Sequence, residues 1–218
     1  MLKLIKKEFM LCVHPTSFIF LAFALLVFVP NYPYEVIFFF SALSTYFYCL
    51  NARENRDLAF TCALPVKKEY VPLARIMTVV IFQCAQIILV LILSLIKQTV
   101  MPAEMLMNGA GISANIALVG NGAVLSGVFN LIFFSMHYKN PDKTGFPFVV
   151  SAVAMFLLIA VLIVLRWTTT LFSEILNGTD SDYILAKICA FIIGLTVYAV
   201  FTFFACRNSM KYIQSVDV

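Results

Sequence analysis

The one stretch of this chain whose residue types could build a binding surface is residues 51–75, NARENRDLAFTCALPVKKEYVPLAR. Its 25 positions hold five basic residues, three acidic ones (Glu54, Asp57, Glu69) and an apolar stripe of Leu58, Phe60, Ala63, Leu64 and Val66. Apolar groups supply burial and charges of both signs set register, which is the chemistry of docking a soluble partner. The plainer reading is a loop that holds the protein in place through its positive charge. Pro65 and Pro72 punctuate the segment. They predict a short helix along the membrane surface, a tight turn at Leu64-Pro65-Val66, and a new helix from near Lys67.

Elsewhere the groups that do acid–base, nucleophilic or metal chemistry are sparse. His14 and His137 are the only histidines, each at the edge of an apolar run. GxSxG and HExxH are missing, no paired acidic motif falls in an apolar run, and no GxxxxGK[ST] offers a phosphate cradle. Leu125-Ser126-Gly127 has the letters that open an ATPase signature, but it lies deep in an apolar run, where small residues let helices approach closely. Asn177-Gly178-Thr179 spells a glycosylation sequon, a pattern common by chance. Six cysteines form no CxxC, and their placement near the inner face or inside apolar runs reads as reduced and structural.

Residues 51–75 sit in a chain that is 62% hydrophobic and 12% charged over 218 residues, with a mean hydropathy of +0.98. A soluble domain carries about twice that share of charge. A soluble enzyme, a disordered regulator and a nucleic-acid-binding module are thereby excluded, and a polytopic membrane protein is left. Apolar runs fall at about 15–29, 34–50, 76–96, 113–136, 146–165 and 183–206. The last four reach the roughly 20 residues that a helix needs to cross the hydrocarbon core, and the first two are shorter. The runs are continuous rather than alternating, so the expected fold is all-α, a single six-helix transmembrane domain over 1–218. The linker Asn31-Tyr32-Pro33-Tyr34 leaves no room for an external domain between the first two spans.

Twelve of the fifteen Lys and Arg fall on one side of that layout, in the N-terminal segment, the 51–75 loop, the loop after the fourth run and the tail. Lys97, Arg166 and Lys187 make up the other side. The excess predicts a cell-membrane protein with both termini in the cytoplasm. Leu2, Ile5, Phe9 and Cys12 share a helical face flanked by Lys3, Lys6 and Lys7, the pattern of an interfacial amphipathic helix ending at His14-Pro15. No small-residue cleavage site follows the first run, so a secretory leader is not expected. With neither intramembrane carboxylates nor an internal repeat, the energy source for any transport is expected outside this polypeptide.

The loop residues resemble the ABC-2 type permeases. The resemblance rests on Glu54-Asn55-Arg56-Asp57-Leu58 closing the second span, Leu64-Pro65-Val66-Lys67-Lys68-Glu69 after it, and Arg75 beyond. The six-span layout and interfacial N-terminal helix agree with it. Members more often have a hydroxyl residue and then a basic one where Lys67-Lys68 stands here. The small size looks most like the bacterial permeases that export, or confer immunity to, antimicrobial and amphipathic peptides, including phenol-soluble modulin and bacitracin-type systems. The resemblance implies a non-catalytic permease that pairs with a second copy or a similar permease, each copy seating one cytoplasmic ABC ATPase that holds the ATP and magnesium. It implies a coupling helix between spans 2 and 3, with Leu58, Phe60, Leu64 and Val66 as buried contact, Glu54, Asp57, Lys67, Lys68 and Glu69 as ionic register, and Pro65 among the coupling residues. The alternative is a membrane immunity or sensor subunit that binds a peptide or membrane partner without moving it.

Polar residues inside spans face protein or water. Gln83 and Gln86 share a face of the third span, and Asn115, Asn121 and Asn130 punctuate the fourth. Interhelical hydrogen bonding is one reading, and a pathway lined by Gln83, Gln86, Asn121 and Asn130 is the other. The aromatic-rich first two spans, from Phe18 to Tyr48, suit a dimer interface, a groove for an amphipathic peptide, or a lipid-facing surface.

Overall fold

The computed structural model describes residues 1–29, 32–101, 111–178, 181 and 183–215. Pro30, Asn31 of the first linker and Thr179 of the sequon lie outside them. Among the described residues the chain is all-helical. Helix α1 is Leu2–Leu11, and α2 is Thr16–Ala22 continued by a 3-10 stretch, Phe23–Phe28. A 3-10 turn, Tyr34–Val36, leads into α3, Ile37–Glu54. The short α4, Asp57–Cys62, and the long α5, Tyr70–Val100, follow. Helices α6 (Ile116–His137), α7 (Gly145–Thr168) and α8 (Ile184–Ile213) complete the bundle.

Among the described residues, five helices are long and apolar enough to cross a membrane, beginning with Tyr34–Glu54 and ending with Ile184–Ile213. A sixth crossing exists only as a broken unit, because α1 and the Thr16–Phe28 segment meet at 92°. The expected first span is therefore short. Its seven α-helical and six 3-10 residues reach roughly 22 Å at about 1.5 and 2.0 Å per residue, against a core of about 30 Å. The bend sits where His14-Pro15 interrupts the helix. His14 Nδ1 accepts the Thr16 amide at 3.2 Å and lies 2.8 Å from its hydroxyl. His14 is thus a helix-capping residue, since it takes one of the amides that a helix start leaves without a partner.

Helix α6 is the centre of the bundle and mostly buried, whereas most of α8 is not buried. It runs parallel to α8 along a seam of small residues. A Cβ added at Gly194 would sit 2.3 Å from the Gly120 carbonyl oxygen, and one at Gly127 would sit 2.9 Å from Cα of Tyr198. Only glycine permits that approach, the usual means of packing helices where lipid removes the hydrophobic drive. On another face of α6, a Cβ at Gly122 would meet the Phe38 ring of α3 at 2.0 Å.

The aromatics of the first two spans pack on one another. Phe23 meets Phe40 edge-on at 4.5 Å, and Phe20 stacks on Phe40 and Phe47 at 6.1 and 5.9 Å, gluing α2 to α3. Tyr46 and Phe39 reach Phe148 at 4.5 and 6.2 Å, joining α3 to α7.

Contacts sort the connections onto two ends. At one end Lys7 meets Asp57, Arg53 donates to the Asp142 carbonyl at 3.1 Å, Lys139 lies 4.8 Å over the Tyr212 ring, and Gln214 donates to Glu69 at 2.7 Å. The N-terminal helix, both basic loops and the end of α8 therefore share that end. At the other end Arg166 pairs with Glu35 at 2.7 Å, Lys97 donates to the Val27 carbonyl at 3.0 Å and to the Tyr34 hydroxyl, and Asn177 takes the Ser113 amide at 3.0 Å. Glu35, Lys97 and Lys187 are fully buried, so Lys97, which the sequence places in an outer connection, belongs to the bundle interior as well. Asn177 is buried too, its amide donating to Gly111 at 2.5 Å, which removes it as a glycosylation acceptor in the folded chain.

Candidate functional site

The second span ends on a left-handed residue. Arg56 has φ 51° and ψ 33°, and its amide bonds to the Arg53 carbonyl at 3.0 Å. Few non-glycine residues adopt this conformation, and here it turns the chain out of α3 into α4. Helix α4 then ends before Ala63. A tight turn follows, in which the Val66 amide donates to Leu64 O at 2.7 Å, and α5 begins at Tyr70.

The inner face of α4 is held by charge. Asp57 accepts from Lys7 Nζ at 2.7 and 2.9 Å and from Arg75 Nη2 at 2.6 Å. Glu8 lies 2.8 Å from Lys7 Nζ and 3.4 Å from Arg75 Nε, and it accepts the Tyr48 hydroxyl. Lys7 also donates to Thr61 at 2.8 Å. Two carboxylates and two cations form a neutral cluster joining α1, α3, α4 and α5, with Glu8, Asp57 and Arg75 almost wholly buried. Burial by itself would raise the Glu8 pKa, but the facing Arg75 and Lys7 hold it below the ordinary carboxylate value. Burial would likewise lower Lys7, and hydrogen bonds to Asp57 and Glu8 raise it instead.

Metal chemistry fits this cluster poorly, although ligand atoms of Glu8, Cys12 and Asp57 lie within 4.8 Å of one another. Both carboxylates are already saturated by cations. Burial pushes the Cys12 thiol up, away from the thiolate that a metal requires.

The opposite face of α4 and the turn are open. Phe60 is 56% exposed and Leu64 38%, flanked by exposed Glu54, Pro65, Lys67 and Lys68. Val66 is half-buried, Leu58 packs against the core, and Glu69 is held by Gln214. The structure therefore divides the residues expected to dock a partner. Asp57, read as part of an ionic register, turns inward and is consumed by Lys7 and Arg75, so it offers nothing to a docking protein. Sequence reasoning missed Lys7, Glu8 and Tyr48 as members of this site. The available signal was Glu8, the single acid in an amphipathic segment otherwise charged by lysine.

Deeper in the bundle, Gln83 and Asn130 exchange two hydrogen bonds of 2.8 Å across α5 and α6, joined by Tyr198 at 2.9 Å and Thr202 at 3.1 Å from α8. The pair is a helix-to-helix clasp. Gln86 is buried one turn away, its amide nitrogen without a partner, and Asn121 is half-buried on α6.

Residues 3–209 match the profile of the ABC-2 family transporter proteins. The chain belongs to that family. No curated protein and no solved structure matches it significantly. As an ABC-2 family transporter membrane component it supplies the membrane-spanning part, and such permeases generally pair with a separate ATPase that does the catalysis. In this ABC-2 protein, the charged cluster ties α4 to α1, α3 and α5.

Proposed function

We propose that this chain is the permease subunit of an ATP-driven exporter of amphipathic or antimicrobial peptides in a bacterial cell membrane. The exposed face of α4 and the following turn seats a cytoplasmic ABC ATPase. The observation that carries this reading is the division of α4 into a clamped charged face and an open apolar one. Phe60 and Leu64 form the greasy contact, and Glu54, Lys67 and Lys68 set its register. The basic end of the bundle, with both termini, lies in the cytoplasm by the distribution of Lys and Arg. A second permease copy, identical or similar, completes the transporter, and ATP and magnesium belong to the ATPase. Of the residues read as a pathway lining, Gln86 and Asn121 are the two left outside the Gln83–Asn130 clasp, and they are the polar groups offered to a transported chain in this reading.

Affinity capture of the tagged protein from mildly solubilised native membranes tests the reading. Recovery of an ABC ATPase, identified by its sequence and by ATP hydrolysis, is expected. The Phe60→Glu/Leu64→Glu variant should reduce that recovery at least tenfold at unchanged thermal stability. Recovery of the permease without an ATPase in several mild detergents would replace this function with the immunity or sensor role.

A further inference from the structure

A cavity of about 300 Å³ opens at the basic end of the bundle, between the last turn of α3, α4 and the segment after α6. Arg53, Arg56, Arg75 and His137 line it, with Asp142 and Leu58. Arg75, one of the lining residues, spends Nε and Nη2 on Glu8 and Asp57. Arg56 has no side-chain partner among the described residues. Arg53 reaches only the Asp142 carbonyl, at 3.1 Å, and exposed Glu54, at 4.0 Å, which does not line the cavity.

His137 is the second observation. The residue is 1% exposed, its ring stacked on Phe133 at 5.6 Å, and neither ring nitrogen has a hydrogen-bond partner among the described residues. Buried polar groups are nearly always paired, so a buried imidazole that lines a cavity beside three guanidiniums points to a ligand with acceptor oxygens. The cluster of Glu8 and Asp57 with Lys7 and Arg75 is internally neutral. Arg53 and Arg56 then outweigh the Asp142 carboxylate within the cavity. Guanidinium groups match phosphate oxygens in pairs, and a volume of this size admits a small headgroup.

We propose that this cavity binds a phosphoryl group, supplied either by the headgroup of an anionic phospholipid or by free phosphate. Arg53 and Arg56 grip its oxygens from the open side, and Arg75 and His137 donate from the buried side. The site lies at the cytoplasmic interface in the proposed orientation, where anionic headgroups concentrate. A phosphoryl group there would cross-link α3, α5 and α6 behind α4, so occupancy would stiffen the face on which the ATPase seats.

The test uses the full chain in bilayer discs of phosphatidylcholine, with three arms: no addition, added phosphatidylglycerol, or inorganic phosphate against chloride at equal ionic strength. Thermal unfolding is the readout. A rise in Tm of about 5 °C is expected in at least one phosphoryl arm, and which arm responds identifies the source. The Arg53→Gln/Arg56→Gln variant should lose the rise while keeping the wild-type Tm in plain discs, both side chains being at the surface. Lys67→Gln/Lys143→Gln removes the same charge outside the cavity and should keep the rise. No shift in either arm overturns the site, as does equal loss in both variants. No ATPase enters the measurement, so its failure is distinct from failure of the proposed export function.

Discussion

Arg75, six residues into α5, donates through Nη2 to Asp57 Oδ2 at 2.6 Å, and Asp57 is the first residue of the short surface helix α4. The contact ties the surface helix to a membrane span. Removing one member of a buried pair leaves an uncompensated charge, a loss of about 3–5 kcal/mol. Asp57→Ala should therefore be strongly destabilising. Asp57→Ala/Arg75→Met keeps the Lys7–Glu8 pair, 2.8 Å apart, in balance and should recover most of that loss. Unfolding of the four proteins of the cycle in detergent checks this. Additive losses would mean that the two side chains act independently.

The same cluster sets a pH window. Glu8 is held below its ordinary 4.5, so its contribution is complete above that pH and disappears as pH falls through the lower, folded value. Lys7 is raised above 10.5, so its contribution is complete below that pH and disappears as pH rises through the higher, folded value. Between those limits the cluster should leave Tm flat. Glu8→Gln should start lower and lose the acid limb. A wild-type Tm that declines between pH 7 and 5 and is flattened by Glu8→Gln would contradict this assignment.

The α6–α8 seam makes a steric prediction. Gly194→Ala drives a methyl group to 2.3 Å from the Gly120 carbonyl oxygen, and overpacking of this kind costs about 1–3 kcal/mol. At Gly145 an added Cβ meets nothing within 4 Å, so Gly145→Ala should be close to neutral. Equal thermal stability of the two variants would show that α6 and α8 separate without cost.

The Gln83–Asn130 clasp predicts a modest loss. Hydrogen bonds between membrane helices average about 0.6 kcal/mol, so Asn130→Leu, which strands the Gln83 amide nitrogen while Tyr198 still donates to Gln83 Oε1, should cost more than Gln83→Leu/Asn130→Leu. Unfolding midpoints decide it. If the double variant instead retains stability but loses transport, the pair contributes to a pathway as well as to packing.

Much of this architecture was legible in composition. Unbroken apolar runs leave the backbone no partners but its own, which makes helices obligatory in lipid, and the Lys and Arg excess groups the four connections that the structure gathers at one end. Residues 51–75 were legible as a helix, a turn and a helix because Pro65 and Pro72 punctuate them locally. Run length could not show that the first span is a 3-10 continuation bent 92° from α1, since hydropathy does not distinguish helical pitch. Nor could composition tell which charges face outward. Asp57 and Lys67 look alike as loop charges, yet one is buried and one exposed.

What the sequence determined by itself was the membrane, the helices and the position of the surface loop, all consequences of local composition acting against lipid. The tertiary structure alone decided that Lys7, Glu8, Asp57 and Arg75 would meet. They are separated by up to 68 positions, and no local preference brings them together. Their meeting follows from the packing of α1 across the end of the bundle, where unpaired charge would be costly and the four charges neutralise one another.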